Sequence, residues 1–310
     1  MGKNSNLAKA KDAKNDEFYT QLPDIENELK HYRKHFDGAV VLCNCDDPDW
    51  SNFWKYFYLN FDVLGLKKLI STHYDPENPT YKMEYDGTGE PVITNLEGNG
   101  DFRSPECIEL LQEASIVVTN PPFSLFREYV AQLMEYDKKF LIIGSQNAIT
   151  YKEIFPLIRD NKLWLGHGFN AGNAYFGLPD NADTSNYASG VYNADTGLVK
   201  FRNCHWFTNL DHSKRHEELV LFKTYNADEF PKYDNFDAIE VSKTVNIPVD
   251  YDGIMGVPIT FLDKHNPDQF EIVGCSYSYG IPEGWSEDTN MNPIVNGKSI
   301  YKRILIKKKG

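Results

Sequence analysis

The chain has 310 residues and a formal net charge of −13, with 32 lysine and arginine residues against 45 aspartate and glutamate residues. Hydrophobic residues make up 41% and charged residues 25%, which is ordinary globular usage and excludes a disordered chain. No signal peptide is recognisable and no apolar run approaches the roughly 20 residues of a membrane span, so we expect a cytoplasmic protein.

The acidic balance argues against a nonspecific nucleic-acid binder, because phosphate neutralisation needs lysine and arginine. Basic residues nevertheless crowd two stretches, 200–223 and 298–309. They form either a surface for a nucleic-acid backbone or an ordinary solvated face. The five cysteines have the spacing of neither a disulfide framework nor a zinc site, so we expect reduced thiols and no metal.

The first half of the chain alternates short apolar runs with helical patterns. Residues 1–15 are predicted to form a mobile arm, and residues 24–36 an amphipathic helix. Apolar runs follow at 39–44, 68–74, 116–119 and 140–144, with helical patterns at 51–61 and 124–136. Short buried strands that alternate with helices indicate βαβ units and a parallel sheet.

The pattern changes after residue 165. Glycine, asparagine, aspartate and tyrosine dominate residues 166–197, and strands are predicted at 198–207, 219–224 and 300–306. We therefore predict an α/β part, residues 1–224, followed by a β-rich and loop-rich part, residues 225–310.

The tetrapeptide Asn120-Pro121-Pro122-Phe123 lies between a predicted strand and a predicted helix, where open α/β sheets bind ligands. The two prolines fix φ and remove two backbone donors, so the loop presents carbonyl groups rigidly. The Asn120 side-chain oxygen and the Pro121 carbonyl would accept hydrogen bonds from an amine with a delocalised lone pair, such as N6 of adenine. Phe123 would stack on the ring of an adenine extruded from its duplex.

A plain turn is the alternative interpretation of this tetrapeptide, since asparagine and proline are common turn residues. Its position between strand and helix favours the catalytic interpretation. The reaction would depend on positioning two bound reactants and stabilising charge, without a metal.

Five segments of the sequence resemble the EcoRI-type adenine-specific DNA methyltransferases. They are KNDEFYTQ (14–21), VVLCNCDDPDWSNFWKYF (40–57), GLKKLISTHY (65–74), GDFRSPECIELLQEASIVVTNPPFSLFREY (100–129) and GVPITFLDKHNP (256–267).

The resemblance implies a Rossmann-like methyltransferase fold, an α/β fold with a mostly parallel seven-stranded sheet and a β-rich and loop-rich C-terminal extension. It implies S-adenosylmethionine as the methyl donor and the N6 amine of a flipped adenine in double-stranded DNA as the acceptor. Residues 1–224 would be the catalytic domain, and residues 225–310 would recognise the target. A role in DNA modification, alone or paired with a restriction endonuclease, is also implied.

The donor site implied by the resemblance falls on three segments. They are Phe18, Tyr19 and Thr20; the loop of Cys43, Asn44, Cys45 and Asp46; and Asp101 with Phe102, which would contact the donor adenine. The loop lacks the glycines that many S-adenosylmethionine enzymes have at this point. Asp75 is the one acidic candidate at the end of the second strand, where ribose hydroxyls are often held.

Two other functions stay open. Similar Asn-Pro-Pro-aromatic loops methylate glutamine amides of proteins or amines of RNA, and labelled methyl groups found there but not in DNA would favour that function. A chain with a glycine-free donor loop could also be a DNA-binding module without a cofactor. Calorimetry without S-adenosylmethionine binding would favour that second alternative.

Overall fold

The computed structural model describes residues 18–45, 47–75, 77–169, 172–178, 184, 185, 187–276, 280, 282 and 292–309. The predicted N-terminal arm and Asp46 lie outside these residues. The chain divides into two compact units, one of residues 1–147 with 166–210 and the other of residues 148–165 with 211–310. The functional division at residue 225 stays a prediction, because compactness does not test function.

The helices in the described part of the chain are short. They are α1 (Leu22–Leu29), α2 (Asn52–Leu59), α3 (Phe61–Leu64), α4 (Pro105–Glu113), α5 (Phe126–Glu135) and α6 (Phe155–Arg159). None of these is long and apolar enough to cross a membrane.

The strands are equally short, and most have two to five residues. They are β1 (Tyr19–Thr20), β2 (Val40–Cys43), β3 (Lys68–Thr72), β4 (Tyr81–Tyr85), β5 (Val92–Asn95), β6 (Ile116–Thr119), β7 (Lys139–Ser145), β8 (Trp164–Leu165), β9 (Asn173–Gly177), β10 (Tyr192–Asn193), β11 (Leu198–Arg202), β12 (Cys204–Thr208), β13 (Ile239–Glu240), β14 (Met255–Val257), β15 (Phe270–Cys275), β16 (Ile294–Val295), β17 (Lys298–Ser299) and β18 (Ile304–Lys308).

Among the described residues of the first unit, seven strands lie side by side in the order β5-β4-β3-β2-β6-β7-β12. The pairs that join β3, β2, β6 and β7 are parallel, and the other three neighbouring pairs are antiparallel. The sheet is therefore mixed, and the mostly parallel sheet predicted from the sequence describes only its centre. The difference arises because β4 and β5 form a hairpin and β12 returns antiparallel to β7.

Helical connections account for the parallel centre of this sheet, since parallel neighbours need a crossover. Helices α2 and α3 connect β2 to β3, α4 precedes β6, and α5 connects β6 to β7. Strands β3 and β6 lie on opposite sides of β2, so the strand order reverses there. Open α/β sheets bind ligands outside the carboxyl ends of the strands at such a reversal.

The first helix is shorter than its hydrophobic pattern suggests. Helix α1 ends at Leu29, and a 3-10 turn follows at Arg33–His35. The side chains of Ile25, Leu29, Tyr32 and Phe36 are all fully buried. The pattern therefore identified the buried face and overstated the length of the helix.

The smaller sheet of the first unit, ordered β1-β9-β11-β10, carries the Phe-Tyr-Thr segment. Thr20 lies opposite Phe176 in the antiparallel pair of β1 and β9. The ring of Phe18 packs against those of Phe176 and Phe201, with centroid distances of 5.9 and 4.7 Å. Backbone pairing and aromatic packing thus hold this segment.

The single strand predicted at 198–207 is two strands, β11 and β12. Asn203 lies between them with a left-handed φ of +64°, which breaks the extended backbone. Strand β11 belongs to the smaller sheet and β12 to the larger one.

The prediction of a strand at 219–224 was wrong. Within the described residues this stretch makes only an isolated bridge, between Lys223 and Pro248. The side chains of Val220 and Phe222 are 84% and 67% exposed. A run of apolar residues makes a strand only where a neighbour supplies hydrogen bonds and a buried face.

The second unit contains its own sheet, ordered β13-β14-β18-β15, and a hairpin of β16 and β17. Strands β13 and β14 are parallel, and β18 runs antiparallel to both of its neighbours. Met255, Val257, Phe270, Ile304 and Ile306 are buried side chains of this sheet. The predicted strand at 300–306 is β18, which begins four residues later.

Candidate active site

A cleft lies at the carboxyl ends of β2, β3 and β6 in the first unit. It encloses about 780 Å³ including open solvent. Five segments of the chain line it. They contribute Phe18 and Tyr19; Asn44, Cys45 and Asp47; His73 and Tyr74; Gly100, Asp101, Phe102 and Arg103; and Asn120, Pro122 and Leu125.

Side-chain hydrogen bonds join the loops that follow these strands. The backbone N–H of Cys45 donates to Oγ1 of Thr119 over 3.2 Å, which links the loop after β2 to the end of β6. Oγ1 of Thr72, at the end of β3, donates to the carbonyl of Asn44 over 3.4 Å. The ends of three adjacent strands therefore define the cleft.

Asn120 follows β6 directly and is 8% exposed. Its Nδ2 donates to the backbone carbonyl of Phe18 over 2.7 Å. This bond fixes the orientation of the amide, because only the nitrogen can donate to a carbonyl. Oδ1 is therefore the acceptor atom of a fixed amide, and Phe18 is a positioning residue for the predicted catalytic loop.

The rest of the tetrapeptide leads from β6 into α5. Pro121 is buried, and Pro122 is half-buried and lines the cleft. Phe123 begins a 3-10 turn and is also half-buried. Its ring packs on that of Phe18, with centroids 6.0 Å apart and planes inclined by 28°. Phe123 is thus held among the aromatic side chains beside the cleft.

Asn44 follows β2 and is 3% exposed. Its Oδ1 accepts a hydrogen bond from the hydroxyl of Tyr129 on α5. Its Nδ2 is buried and has no hydrogen-bond partner among the residues that the structure describes. An unsatisfied buried donor is costly, so this atom suits an acceptor on a ligand in the cleft.

Helix α5 also holds the segment of Asp101 and Phe102. The ring of Tyr129 packs edge-on against that of Phe102, with centroids 5.0 Å apart. Nε2 of Gln132 donates to the carbonyl of Phe102 over 3.1 Å. The helix that follows the Asn120 loop therefore contacts both the Asn44 loop and the Phe102 segment.

Gly100 permits the close approach of two lining segments. Its φ is +74°, and a Cβ atom at this position would lie 1.9 Å from the carbonyl oxygen of His73. Only glycine combines this φ with so short a distance between backbones.

The carboxylate of Asp101 is fully engaged by Arg103. Nε of Arg103 lies 2.9 Å from Oδ1, and Nη2 lies 2.7 Å from Oδ2. These bonds lower the pKa of Asp101. Arg103 also pairs with Glu128 over 2.9 Å, which ties the segment to α5. Both oxygens of Asp101 therefore accept hydrogen bonds from Arg103, and the carboxylate is held in one orientation.

Eight of the lining residues were predicted from the sequence, and the remaining six were not. The six are Asp47, His73, Tyr74, Gly100, Arg103 and Leu125. His73 and Tyr74 directly follow β3, so the rule that ligands bind beyond the carboxyl ends of parallel strands could have found them.

Thr20 and Cys43 were also predicted to contact the donor. They are buried in β1 and β2 and are not among the lining residues. Asp46 lies outside the described residues. The roles assigned to all the predicted site residues stay predictions.

Known proteins resemble this chain over nearly its whole length. The family model of the adenine-specific methyltransferase EcoRI matches residues 6–309. The Type II methyltransferase M.EcoRI of Escherichia coli is 48% identical over 325 residues, which cover 99% of this chain and 97% of the relative. M.MgeORF184P of Mycoplasma genitalium and M.MpnI of Mycoplasma pneumoniae, both Type II methyltransferases, are each 40% identical over 315 residues. The alignments cover 97% of this chain and 98% and 97% of these two relatives. No solved structure matches the chain. Since the family model and the relatives both span nearly the whole sequence, the chain belongs to the EcoRI family of adenine-specific methyltransferases.

Proposed function

We propose that the chain transfers a methyl group from S-adenosylmethionine to the N6 amine of an adenine flipped out of double-stranded DNA. The observation that carries this proposal is the Asn120 amide, held by the Phe18 carbonyl beside the cleft where the strand order reverses. In this proposal the first unit has the Rossmann-like arrangement of a methyltransferase.

The side chains of the cleft fit the proposed donor. The buried Nδ2 of Asn44 needs an acceptor, which the donor's carboxylate offers. Phe102 supplies an aromatic face, and Gly100 lets this segment lie close to the His73 backbone. Phe18, Tyr19, Asn44, Cys45, Asp101 and Phe102 would hold the donor, with Thr20, Cys43 and Asp46 supporting them. The donor, when bound, supplies an electrophilic methyl group on a sulfonium.

The Asn120 loop acts on the target amine. Oδ1 of Asn120 and the carbonyl of Pro121 accept hydrogen bonds from the two amine hydrogens, which concentrates the lone pair on nitrogen. The new nitrogen–carbon bond forms as the carbon–sulfur bond breaks with its electron pair staying on sulfur, and one amine proton passes to solvent. Because the two prolines fix the loop, its acceptors need no reorganisation during transfer.

Phe123 provides a face for the flipped adenine. A base taken out of the stack needs an aromatic or apolar partner to offset the lost stacking. The ring of Phe123 is braced by Phe18, so it can meet the base in a fixed orientation.

Residues 225–310 are proposed to recognise the DNA target. Several of their basic side chains are already used within the second unit. Arg303 pairs with Glu240 over 2.6 Å, and Lys308 lies 3.4 Å from Asp252. Lys298, Lys307 and Lys309 are exposed and are the better candidates for phosphate contacts. The role in DNA modification, with or without a restriction endonuclease, belongs to the same proposal.

The test is to incubate the purified protein with unmethylated genomic DNA and S-adenosylmethionine and to map N6-methyladenine. We expect methylation within one short sequence. Asn120→Ala should abolish it, whereas Asn95→Ala, an exposed asparagine on β5, should not. Methyl groups found in protein or RNA but not in DNA would contradict the proposed acceptor. A wild-type protein that does not bind S-adenosylmethionine would contradict the proposed donor.

A further inference from the structure

The segment that orients the Asn120 amide is anchored by strand pairing on one side only. Strand β1 has two residues and lies at the edge of the smaller sheet, where β9 is its neighbour among the described strands. The Phe18 carbonyl, which accepts from Nδ2 of Asn120, lies directly before this short strand. The position of that carbonyl therefore depends on what else anchors β1.

Helix α2, which connects β2 to β3 of the larger sheet, supplies a second anchor. Nδ2 of Asn52, the first residue of α2, donates to the backbone carbonyl of Thr20 over 2.7 Å. Thr20 is 2% exposed, so water has little access to this carbonyl. A buried carbonyl that loses its donor is costly, so the segment would shift if the Asn52 amide were removed.

The start of α2 is itself held in place beside the cleft. The backbone N–H of Ser51 donates to the carbonyl of Asp47, a lining residue of the cleft, over 2.7 Å. Oγ of Ser51 caps the helix by accepting from the backbone N–H groups of Phe53 and Trp54. Residues 47–52 therefore connect the wall of the cleft to β1.

We propose that Asn52 is a positioning residue for methyl transfer, which acts through β1 on the amide of Asn120. This inference rests on the proposed function, since it concerns the same loop and the same reaction. Asn52 is not among the residues that line the cleft, so it acts on the reaction through other residues. The carbonyls of Thr20 and Phe18 belong to one three-residue segment, and a shift of the first moves the second.

The same segment also supports the aromatic residue of the Asn120 loop. The ring of Phe18 packs on that of Phe123, with centroids 6.0 Å apart. A shift of the segment therefore displaces the proposed stacking face together with the amide. Misplacement of a reacting group by about 1 Å can cost on the order of a hundredfold in rate. Loss of the Asn52 bond should thus slow the transfer step itself.

The test compares Asn52→Asp with the same change at the other end of α2. In Asn52→Asp an oxygen replaces Nδ2, and an ionised carboxylate cannot donate to the Thr20 carbonyl. An acidic residue in the first turn suits the helix dipole, so α2 itself should not be weakened. Asn60→Asp is the matched control, because Asn60 is also half-buried and its Nδ2 donates to the Tyr56 carbonyl over 2.8 Å.

Transfer of labelled methyl groups into unmethylated genomic DNA is followed in a single turnover, with the protein in excess over its target sites. At saturating S-adenosylmethionine we expect the rate constant of Asn52→Asp to fall roughly tenfold or more, and that of Asn60→Asp to match the wild type. Saturation is needed because Phe18 and Tyr19 line the cleft, and high donor concentration overcomes weaker donor binding. A wild-type rate constant for Asn52→Asp at saturation, or equal losses in both variants, overturns the inference.

Asn52→Ala separates the lost bond from the added charge and serves if Asn52→Asp does not fold. It removes the donor to Thr20 without placing a carboxylate beside the carbonyl, so a smaller loss of rate at saturation is expected. A wild-type rate constant in Asn52→Ala overturns the inference. A wild-type protein that transfers no methyl group to DNA would instead overturn the proposed function, and this inference with it.

Discussion

Individual side chains in the cleft are oriented by partners from distant parts of the sequence. The amide of Asn120 is held by the carbonyl of Phe18, which lies 102 residues earlier. The amide of Asn44 is held by Tyr129, which lies 85 residues later. In both cases one atom of the amide is engaged by the protein, which fixes the positions of the amide oxygen and nitrogen.

The Tyr129 hydroxyl can be tested without disturbing its ring. We expect Tyr129→Phe to raise the Kd for S-adenosylhomocysteine about tenfold, because one lost buried hydrogen bond that orients Asn44 is worth roughly 1 to 2 kcal/mol. The packing of the ring against Phe102 should survive, so the melting temperature should change little. Tyr136→Phe, at the end of the same helix, is the matched control and should bind normally. Equal Kd values for the two variants would contradict the role assigned to Tyr129.

Gly100 can be compared with another glycine of similar backbone conformation. Gly38 has a φ of +70°, and a Cβ atom added there would meet nothing within 4 Å. Gly38→Ala should therefore cost only the strain of a left-handed residue, roughly 1 to 2 kcal/mol, and should leave donor binding intact. Gly100→Ala should also push the His73 backbone away and weaken binding of S-adenosylhomocysteine at least about tenfold. Calorimetry on both variants checks this, and similar binding by both would refute it.

At the scale of elements, the local sequence pattern predicted some strands, whereas pairing between distant segments decided whether others form. The runs at 39–44, 116–119 and 140–144 became β2, β6 and β7, because they are apolar on both faces and lie at the buried centre of the sheet. The β4–β5 hairpin was not predicted, since β5 is exposed along its whole length and shows no buried face. The strand predicted at 219–224 does not form for the opposite reason, since its apolar run at 219–222 has no partner strand among the described residues.

Helix α2 begins at a cap that can be tested on its own. Oγ of Ser51 accepts hydrogen bonds from the backbone N–H groups of Phe53 and Trp54, over 3.0 and 3.4 Å. Ser51→Ala should lower the free energy of unfolding by about 1 to 2 kcal/mol, because two buried N–H groups lose their acceptor, whereas Ser51→Thr keeps a hydroxyl and should lower it by less. Urea unfolding followed by circular dichroism measures both. A threonine variant as unstable as the alanine variant would argue against the cap.

At the scale of the whole molecule, the acidic balance does not decide whether the chain binds DNA. The net charge of −13 counts every ionisable residue alike. Within the second unit, Arg303, Lys308 and Lys223 pair with carboxylates, whereas Lys298, Lys307 and Lys309 are exposed. Phosphate binding depends on where the exposed lysine and arginine side chains lie, and the net charge does not show their positions.

The second unit should lose stability in mild acid. Burial lowers the pKa of His212 and of His265 to about 4, from 6.5. Between about pH 6.5 and about pH 4 the unfolded chain therefore binds protons that the folded chain does not, so the free energy of unfolding falls as the pH falls. Above this window both histidines are neutral in both states, and their contribution is complete.

The melting temperature measured from pH 8 to pH 4 checks this expectation. The double variant His212→Gln with His265→Gln removes both titrations and should show a flatter profile between pH 6.5 and pH 4 than the wild type. His35→Gln, at a histidine on the surface of the first unit, is the control and should follow the wild type. A double variant with the wild-type profile would contradict the assignment to these two histidines.

The sequence by itself determined the α/β class, the central strands and the position of the proline-containing loop that follows β6. These features are local, since a run of apolar residues or a pair of prolines restricts its own backbone whatever surrounds it. Five segments of the sequence also indicated the family by their resemblance to it, and the comparisons with known proteins confirmed the family.

Only the tertiary structure decided how the cleft is assembled. Asp47, Arg103 and Gly100 line it because neighbouring strands end at one edge of the sheet, and no spacing along the chain records that neighbourhood. The hydrogen bonds of Asp101 with Arg103 and of Asp75 with Asn78 are local, whereas Asp47 accepts a hydrogen bond from Tyr81, 34 residues later in the sequence. Hydrogen-bond partners are chosen in space, so the function of a polar side chain follows from its neighbours after folding.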